Sequence, residues 1–334
     1  DQIATDETVK LGDKADKWAP YPGGAPVNVA CALAKLGTPA AFVGSVGADA
    51  DGDSILGALE ACKLPTVCVQ RDKERQTRNV YVTRDELGER EFAGFSGAND
   101  GFADCATDLE RVDGTLLYSA SWVVTGTLGL AFPSTREAMM SIRDICKDLD
   151  ILRVTDVNYR PVFWDGNKNA REEILRYIGG TSILKATADE VEFLFGIDRD
   201  EAMERPYKVL KTMGPECMGV LITDGAAGVA YSFESHGGVM DSFAVPTVDS
   251  TGAGDAFTAG FIHRTIGLTG AFQDEFVDLG EDKQYPRAHL PVKQRVAEAF
   301  KDKELLADAV VFASAVGAAT CMEEGAIDAQ PSLK

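Results

Sequence analysis

Short β-prone runs alternate with longer helical segments through most of this 334-residue chain, and that rhythm restricts its fold more than any other feature. The strand candidates are AAFVGSVG (40–47), LRVTDVN (152–158), SILKA (182–186), GVLITDG (219–225) and GVAYSF (228–233). Helical period marks PVNVACALAKLG (26–37), DGDSILGALEACK (51–63), STREAMMSIRDICKDL (134–149) and ADEVEFLFG (188–196). Short apolar strands separated by such helices make βαβ units and a mainly parallel sheet with both faces covered. Pro26 suits the first turn of its helix, where a missing N–H costs nothing.

Residues 64–95 break the rhythm. TVCVQRD, RNVYVTRD and REFAGF are three strand-like runs with no helix between them, and ELG makes one turn. With the start of the chain they suggest a small antiparallel sheet, placed as a lid beside the strand C-termini. We therefore expect an α/β core of residues 1–7, 22–63 and 96–334, with residues 8–21 and 64–95 as the β lid. DLGEDKQYPRAHLP (278–291) is polar and turn-rich, as a surface loop is.

The formal charge of −20 is spread along the chain, without the basic face that nucleic acid needs. No apolar run reaches the ~20 residues that span a bilayer. Seven scattered cysteines form no CxxC pair, which fits thiols in a reducing compartment. Cys62 and Cys68 are close enough in sequence to pair. Three isolated histidines give a His-based triad or zinc site little to build on.

DSTGAGDAF (249–257) then stands out: glycines whose amides invite an anion, followed by a carboxylate, Asp255. It is neither a P-loop, which needs GxxxxGK[ST], nor a dinucleotide fingerprint, since Phe257 stands where a third glycine belongs. What remains is an extended run (FAVPTV, 243–248), a glycine turn and a helix N-terminus where N–H groups converge. A carboxylate there can take the proton of a hydroxyl attacking a phosphoryl group, whose growing charge the amides hold. The same residues also suit an Asp that caps a helix packed closely by small neighbours.

DSTGAGDAF resembles the C-terminal signature of the ribokinase-like (PfkB) carbohydrate kinases, and PGGAPVNVACALAKLG (22–37) resembles their N-terminal glycine signature. The likeness extends through VGSVGADADG, TRNVYVT, DVNYRPVFW, TADEVEFLFG and ITDGAAG, and it is strongest to fructokinases of cyanobacterial and algal type. It implies a three-layer ribokinase-like sandwich with a β lid, and ATP-dependent phosphorylation of a sugar, foremost fructose at its 6-hydroxyl. Asp255 would be the catalytic base, with Gly252, Ala253 and Gly254 as the anion hole. Gly23, Gly24 and Asn28 would hold sugar hydroxyls; a turn and a capped helix would look the same locally.

Other roles follow from the same resemblance. Asn158 and Arg160 would face the phosphates, although a strand-end turn with a surface Arg also fits. Glu190 would organise Mg2+ and its waters as the acid of the NxxE element, in which Thr187 replaces the Asn. Thr223, Gly225 and Gly228 would line the nucleotide site, where a plain hairpin turn reads alike. Ser314 would neighbour adenine, or serve helix packing. Carbonyls around Asp249 and Thr251 lie where some relatives bind a monovalent cation such as K+. Arg78 is a candidate sugar contact from the lid, or an exposed strand Arg.

Members of this family open with a strand ending in a sugar-binding Asp, which Asp1 resembles, so native residues are expected ahead of it. Ribose, ketodeoxygluconate and nucleosides are further substrates the family accepts. A function of a different class is a non-catalytic fructokinase-like subunit of a larger plastid assembly; the intact GAGD element favours the enzyme. The lid edge offers a surface for a homodimer.

Overall fold

The computed structural model describes residues 1–5, 9–84, 90–112, 114–164, 169–234, 236–270 and 291–333. In chain order its strands are β1 (Gln2–Ala4), β2 (Trp18–Pro20), β3 (Gly44–Gly47), β4 (Val69–Asp72), β5 (Val80–Arg84), β6 (Arg90–Phe95), β7 (Trp122–Thr125), β8 (Leu152–Asp156), β9 (Ile183–Thr187), β10 (Gly219–Thr223), β11 (Val229–Phe233) and β12 (Gly237–Met240). The helices are α1 (Ala25–Lys35), α2 (Ala50–Ala61), α3 (Gly114–Ser119), α4 (Pro133–Asp148), α5 (Ala170–Ile178), α6 (Ala188–Phe195), α7 (Arg199–Glu204), α8 (Tyr207–Met213), α9 (Ala253–Thr269), α10 (Val292–Ala299) and α11 (Lys303–Thr320).

The central sheet has six strands in the order β12-β11-β10-β9-β8-β7, with β7 to β10 parallel and the last two antiparallel. Side chains alternate between its faces with the period of two that a strand imposes. Ile183, Leu221 and Tyr231 join the core beneath α1, α9 and α11. Leu184, Ala186, Val220 and Ile222 join the opposite core, with Ile174, Val191 and Val209 from α5, α6 and α8. Both faces are thus closed by helices, which makes the three layers expected of the α/β class.

The register sets the chemistry in a row. Asp156 pairs with Lys185 and Thr187 with Thr223, so the parallel strands end along one edge, where open α/β sheets bind ligands. Helices α9 and α11 pack closely beside that edge. A Cβ on Gly317 would stand 3.0 Å from the Ala253 carbonyl, so α11 reaches the start of α9 only because position 317 has no side chain.

The small sheet has the order β2-β1-β5-β6, and its β1–β5 pairing is parallel, so it is antiparallel only in part. Its composition corrects two expected boundaries. Residues Gln2–Ala4 belong to this sheet and not to the core, because Ala4 packs with Val9 and Trp18 against Tyr81. TVCVQRD does not belong to it: β4 pairs in parallel with β3, and Val69 is buried with Val27, Val46 and Leu59. An apolar patch on the body captures that strand.

Two strands, β7 and β12, were not foreseen, and FAVPTV forms no strand among the described residues. The ELG turn lies outside the described residues, as does the 278–291 loop apart from Pro291. All seven cysteines are thiols, and Cys62 lies against Cys31. Among the described residues no helix is long and apolar enough to cross a membrane.

Candidate active site

Helix α9 begins at Gly252, which adopts a left-handed conformation (φ 80°). A Cβ there would press on the Ala326 backbone at 3.0–3.1 Å, so both the turn and its packing require glycine. Helical bonding starts when Ala256 N–H donates to Gly252 O at 2.8 Å. Among the described residues the Gly254 and Asp255 amides ahead of it have no backbone acceptor, at the positive end of a 17-residue helix. That end can hold an anion.

Asp255 sits one step along, with 8% of its surface exposed. Asn28 on α1, distant by 227 positions, donates from Nδ2 to Asp255 Oδ2 at 2.8 Å. The two glycine signatures therefore meet through these side chains. Asn28 Oδ1 is buried and has no partner among the described residues, and a Cβ on Gly23 would lie only 3.5 Å from it. An orphaned buried acceptor beside a bare backbone fits a donor such as a sugar hydroxyl. Gly24 is the N-cap of α1, with φ 117°. Asp1 leads into β1, and its backbone exchanges hydrogen bonds with Tyr21, two residues before Gly23.

Burial, and then the negative charge of Asp156, push the Asp255 carboxyl up to about 7; Asn28, Lys185 and Arg160 pull the other way. An acid titrating there is poised to accept a proton near neutrality.

Beneath it lies a group that reasoning from the sequence missed. Lys185 is buried, and its Nζ stands 3.1 and 3.0 Å from Asp156 Oδ1 and Oδ2. Thr258 Oγ1 lies 3.1 Å from Asp156 Oδ2 and 3.0 Å from the Gly254 carbonyl, two acceptors for its one proton. The available signal was a lysine inside the apolar run SILKA, on the face that alternation turns toward α9.

Glu190 is buried at the start of α6. Its Oε1 accepts from Tyr159 N–H at 2.7 Å, and its Oε2 from Thr187 N–H at 2.8 Å. Thr187 Oγ1 accepts in turn from Glu190 N–H, completing a capping box. The Thr in the NxxE element therefore keeps the cap. Burial raises the Glu190 carboxyl, and the Thr187 amide and Lys185 oppose that. Each oxygen keeps a lone pair, which suits water around a cation better than direct ligation. Arg160 lies 3.7 Å from Glu190, with its side chain 56% exposed at the mouth. Asn158 turns the chain there at φ 45°, a conformation asparagine tolerates.

The remaining candidates lie around this centre. Thr223 ends β10, and Gly225 and Gly228 shape the hairpin to β11; a Cβ on Gly228 would strike Met240 O at 2.1 Å. Ser314 is half-buried on α11, one turn before Gly317. Asp249 is buried and fixes the turn, accepting from Thr251 N–H at 2.9 Å and Gly325 N–H at 3.0 Å.

Arg78 requires a correction. It is neither exposed nor free for a sugar, since its side chain is 7% exposed and pairs with Asp104 at 2.8 Å. Further N–H groups go to Asn99 Oδ1 and Asn99 O, and the rings of Phe95, Phe102, Phe132 and Phe163 stand 4.5–5.1 Å from the guanidinium. Four aromatic rings and hydrogen bonds from all three guanidinium nitrogens make it a structural anchor.

The pfkB family carbohydrate kinase pattern matches residues 1–271. The chain belongs to that family. It is 31% identical over 335 residues to probable fructokinase-2 of Arabidopsis thaliana, spanning 99% of this chain and 90% of that protein. It is 30% identical to fructokinase-1 of Zea mays, over 99% of this chain and 92% of the relative. Among solved structures, the ATP-bound fructokinase of Xylella fastidiosa superposes with a TM-score of 0.80 at 23% identity, covering 99% and 92% of the two chains. The fructokinase of Vibrio cholerae O395, bound to fructose, ADP and calcium, gives 0.75 at 23%, covering 100% and 94%. A putative ribokinase II from E. coli gives 0.76, so the fold is ribokinase-like.

Proposed function

We propose that this protein is an ATP-dependent fructokinase that transfers the γ-phosphoryl group to the 6-hydroxyl of fructose. The observation that carries the reading is the Asn28–Asp255 hydrogen bond, which joins the Gly23–Gly24 turn at the start of α1 to the first turn of α9. In this mechanism Asn28 and the bare backbone of Gly23 and Gly24 orient the sugar, with Asp1 at the same edge. Asp255 accepts the proton of the attacking hydroxyl. The Gly252–Ala253–Gly254 turn receives the charge that grows on the phosphoryl oxygens, and such donors are commonly worth about 10²–10³ in rate.

Asn158 and Arg160 hold phosphates at the mouth, and Thr223, Gly225, Gly228 and Ser314 line the nucleotide. Glu190 would hold Mg2+ through water; when bound, the ion offsets the charge of the nucleotide's phosphates. Asp249 and the Thr251 carbonyl would serve a monovalent cation such as K+. Closure of the small sheet over the sugar excludes water. The free edge of that sheet is the surface through which a homodimer would form. The seven thiols and a relative called chloroplastic support a reducing compartment, cytoplasm or plastid stroma.

The test is coupled ADP release with ATP-Mg and a panel of sugars, comparing the wild type with Asp255→Asn. Turnover with fructose that falls at least ~10²-fold in the variant is the expected result. If ribose or ketodeoxygluconate turns over instead, the base stands and the substrate changes. Should no sugar exceed the background of Asp255→Asn, the kinase reading fails in favour of a structural subunit of a larger assembly.

A further inference from the structure

The proposed reaction uses Asp255, yet a second acid, Asp156, is buried close enough to act on it, and neither Asp156 nor Lys185 has been given a part. Two acids beside one anion-binding turn would repel the phosphates and each other. Lys185 stands against both Asp156 and that turn. It pairs with Asp156 across strands β8 and β9, at the ends the register brings together. It also lies against the glycine turn, since a Cβ on Gly254 would be 3.1 Å from its Nζ. Thr258 ties Asp156 to the Gly254 carbonyl, so the ion pair and the first turn of α9 form one hydrogen-bonded unit.

We propose that Lys185 is a positioning residue for phosphoryl transfer: bound to both oxygens of Asp156 and lodged under Gly254, it compensates the second buried acid so that Asp255 works as a carboxylate. The inference rests on the kinase reading above. The groups facing Asp255 are Asp156 at the end of β8, Arg160 in the loop that follows, Lys185 on β9 and the neutral Asn28 on α1. Those facing Lys185 are Asp156, Glu190 on α6 and Asp255. Of these, Asp156 alone among the acids binds Lys185 directly. The two partners of one ion pair therefore act on Asp255 with opposite signs.

That opposition separates a charge role from a structural one. Loss of folding would impair Lys185→Met and Asp156→Asn alike. Loss of charge moves the acid limb of the pH–kcat/KM profile upward in Lys185→Met and downward in Asp156→Asn, each by about one pH unit. Lys185→Met/Asp156→Leu, which replaces the whole pair by apolar groups, is the variant best suited to fold, because such exchanges of a buried pair are often neutral in stability. Its limb should lie between those of the two single variants, with kcat lowered about tenfold and the fructose KM within about twofold of wild type.

The profiles are read as differences from the wild type at one ATP and metal concentration. Limbs moving in opposite directions support the proposal. Limbs that coincide, or shift the same way in both single variants, overturn it while Asp255→Asn still tests the kinase. If Lys185→Met does not fold, Asp156→Asn and the double variant carry the same comparison, and a limb at the wild-type pH in Asp156→Asn overturns the proposal alone. Full activity in Asp255→Asn would instead remove the kinase reading on which all of this stands.

Discussion

Arg78 and Lys185, two of the cations with buried side chains, hold this molecule together in different ways. Arg78, at the root of the four-stranded sheet, is walled by four phenylalanine rings and has its fork filled by Asp104 and Asn99. Lys185, at the end of the central sheet, has carboxylates and a glycine turn for neighbours. A planar guanidinium suits the first setting, because its geometry can be matched once and for all. A compact ammonium suits the second, where it neutralises charge without fixing a single fork of partners. Burial alone does not reveal a functional cation; what surrounds it does.

The largest effect should come from emptying the aromatic cage. Arg78→Met takes the guanidinium donors away from Asn99 Oδ1 and Asp104 Oδ2 and removes the ring contacts, a loss of about 3 kcal/mol in unfolding free energy. Chemical denaturation measures it. Arg78→Lys should recover little of it, since an ammonium cannot fill a fork. The acid limb of the activity profile should stay where the wild type has it, unlike that of the Lys185 variants. A normal melting curve with a raised sugar KM would return Arg78 to the sugar site and break the contrast.

The comparison also marks what the amino-acid pattern could reveal. Alternating strands and helices announced the layered sheet, and two glycine signatures announced the site, because both rest on local rules of period and turn. Asp255 and Asn28 were legible as motif members; their hydrogen bond across 227 positions was not. Lys185 and Asp156 were visible as residues, but their meeting depends on the β8–β9 register, which no local rule supplies. Arg78 was misread for the same reason: a strand-like neighbourhood says nothing of rings arriving from positions 102, 132 and 163. TVCVQRD went astray because its partner β3 lies on the body, beyond helix α2 in sequence.

The glycine turn above Lys185 sharpens the contrast at a smaller scale. Gly252→Ala forces a side chain into a left-handed position against the Ala326 backbone and should cost about 1–2 kcal/mol. Gly254 lies within α9, where Ala is the better helix former, and the added methyl meets the Lys185 ammonium at 3.1 Å and no backbone atom of another element. Gly254→Ala should therefore keep the wild-type melting temperature within about 2 °C yet lower kcat about tenfold, through displacement of the ammonium. Comparing thermal unfolding with turnover in the two variants separates the stability role from the catalytic one. Equal losses of stability at both positions would mean that the Lys185 end is as rigid as backbone.

The smallest effect concerns the proton on Asp255, and its sign is the informative part. The carboxyl is held at about 7 in the fold, against an ordinary value of 3.8, so the native state binds this proton more tightly than the unfolded chain does. The resulting stabilisation is full below the ordinary carboxylate range and is lost as pH rises through about 7. Above that, the wild type carries an ionised acid beside Asp156 at a cost to the fold. Asp255→Asn removes the charge and keeps an oxygen for Asn28, so it should melt higher than the wild type at pH 8, by about 2 °C for each ~1 kcal/mol relieved. The difference should shrink as pH falls through 7 and disappear near pH 4. A variant less stable than the wild type at pH 8 would mean that Lys185 and Arg160 more than offset the burial of the carboxylate. The acid limb of the wild-type activity profile would then lie near pH 4 rather than near 7.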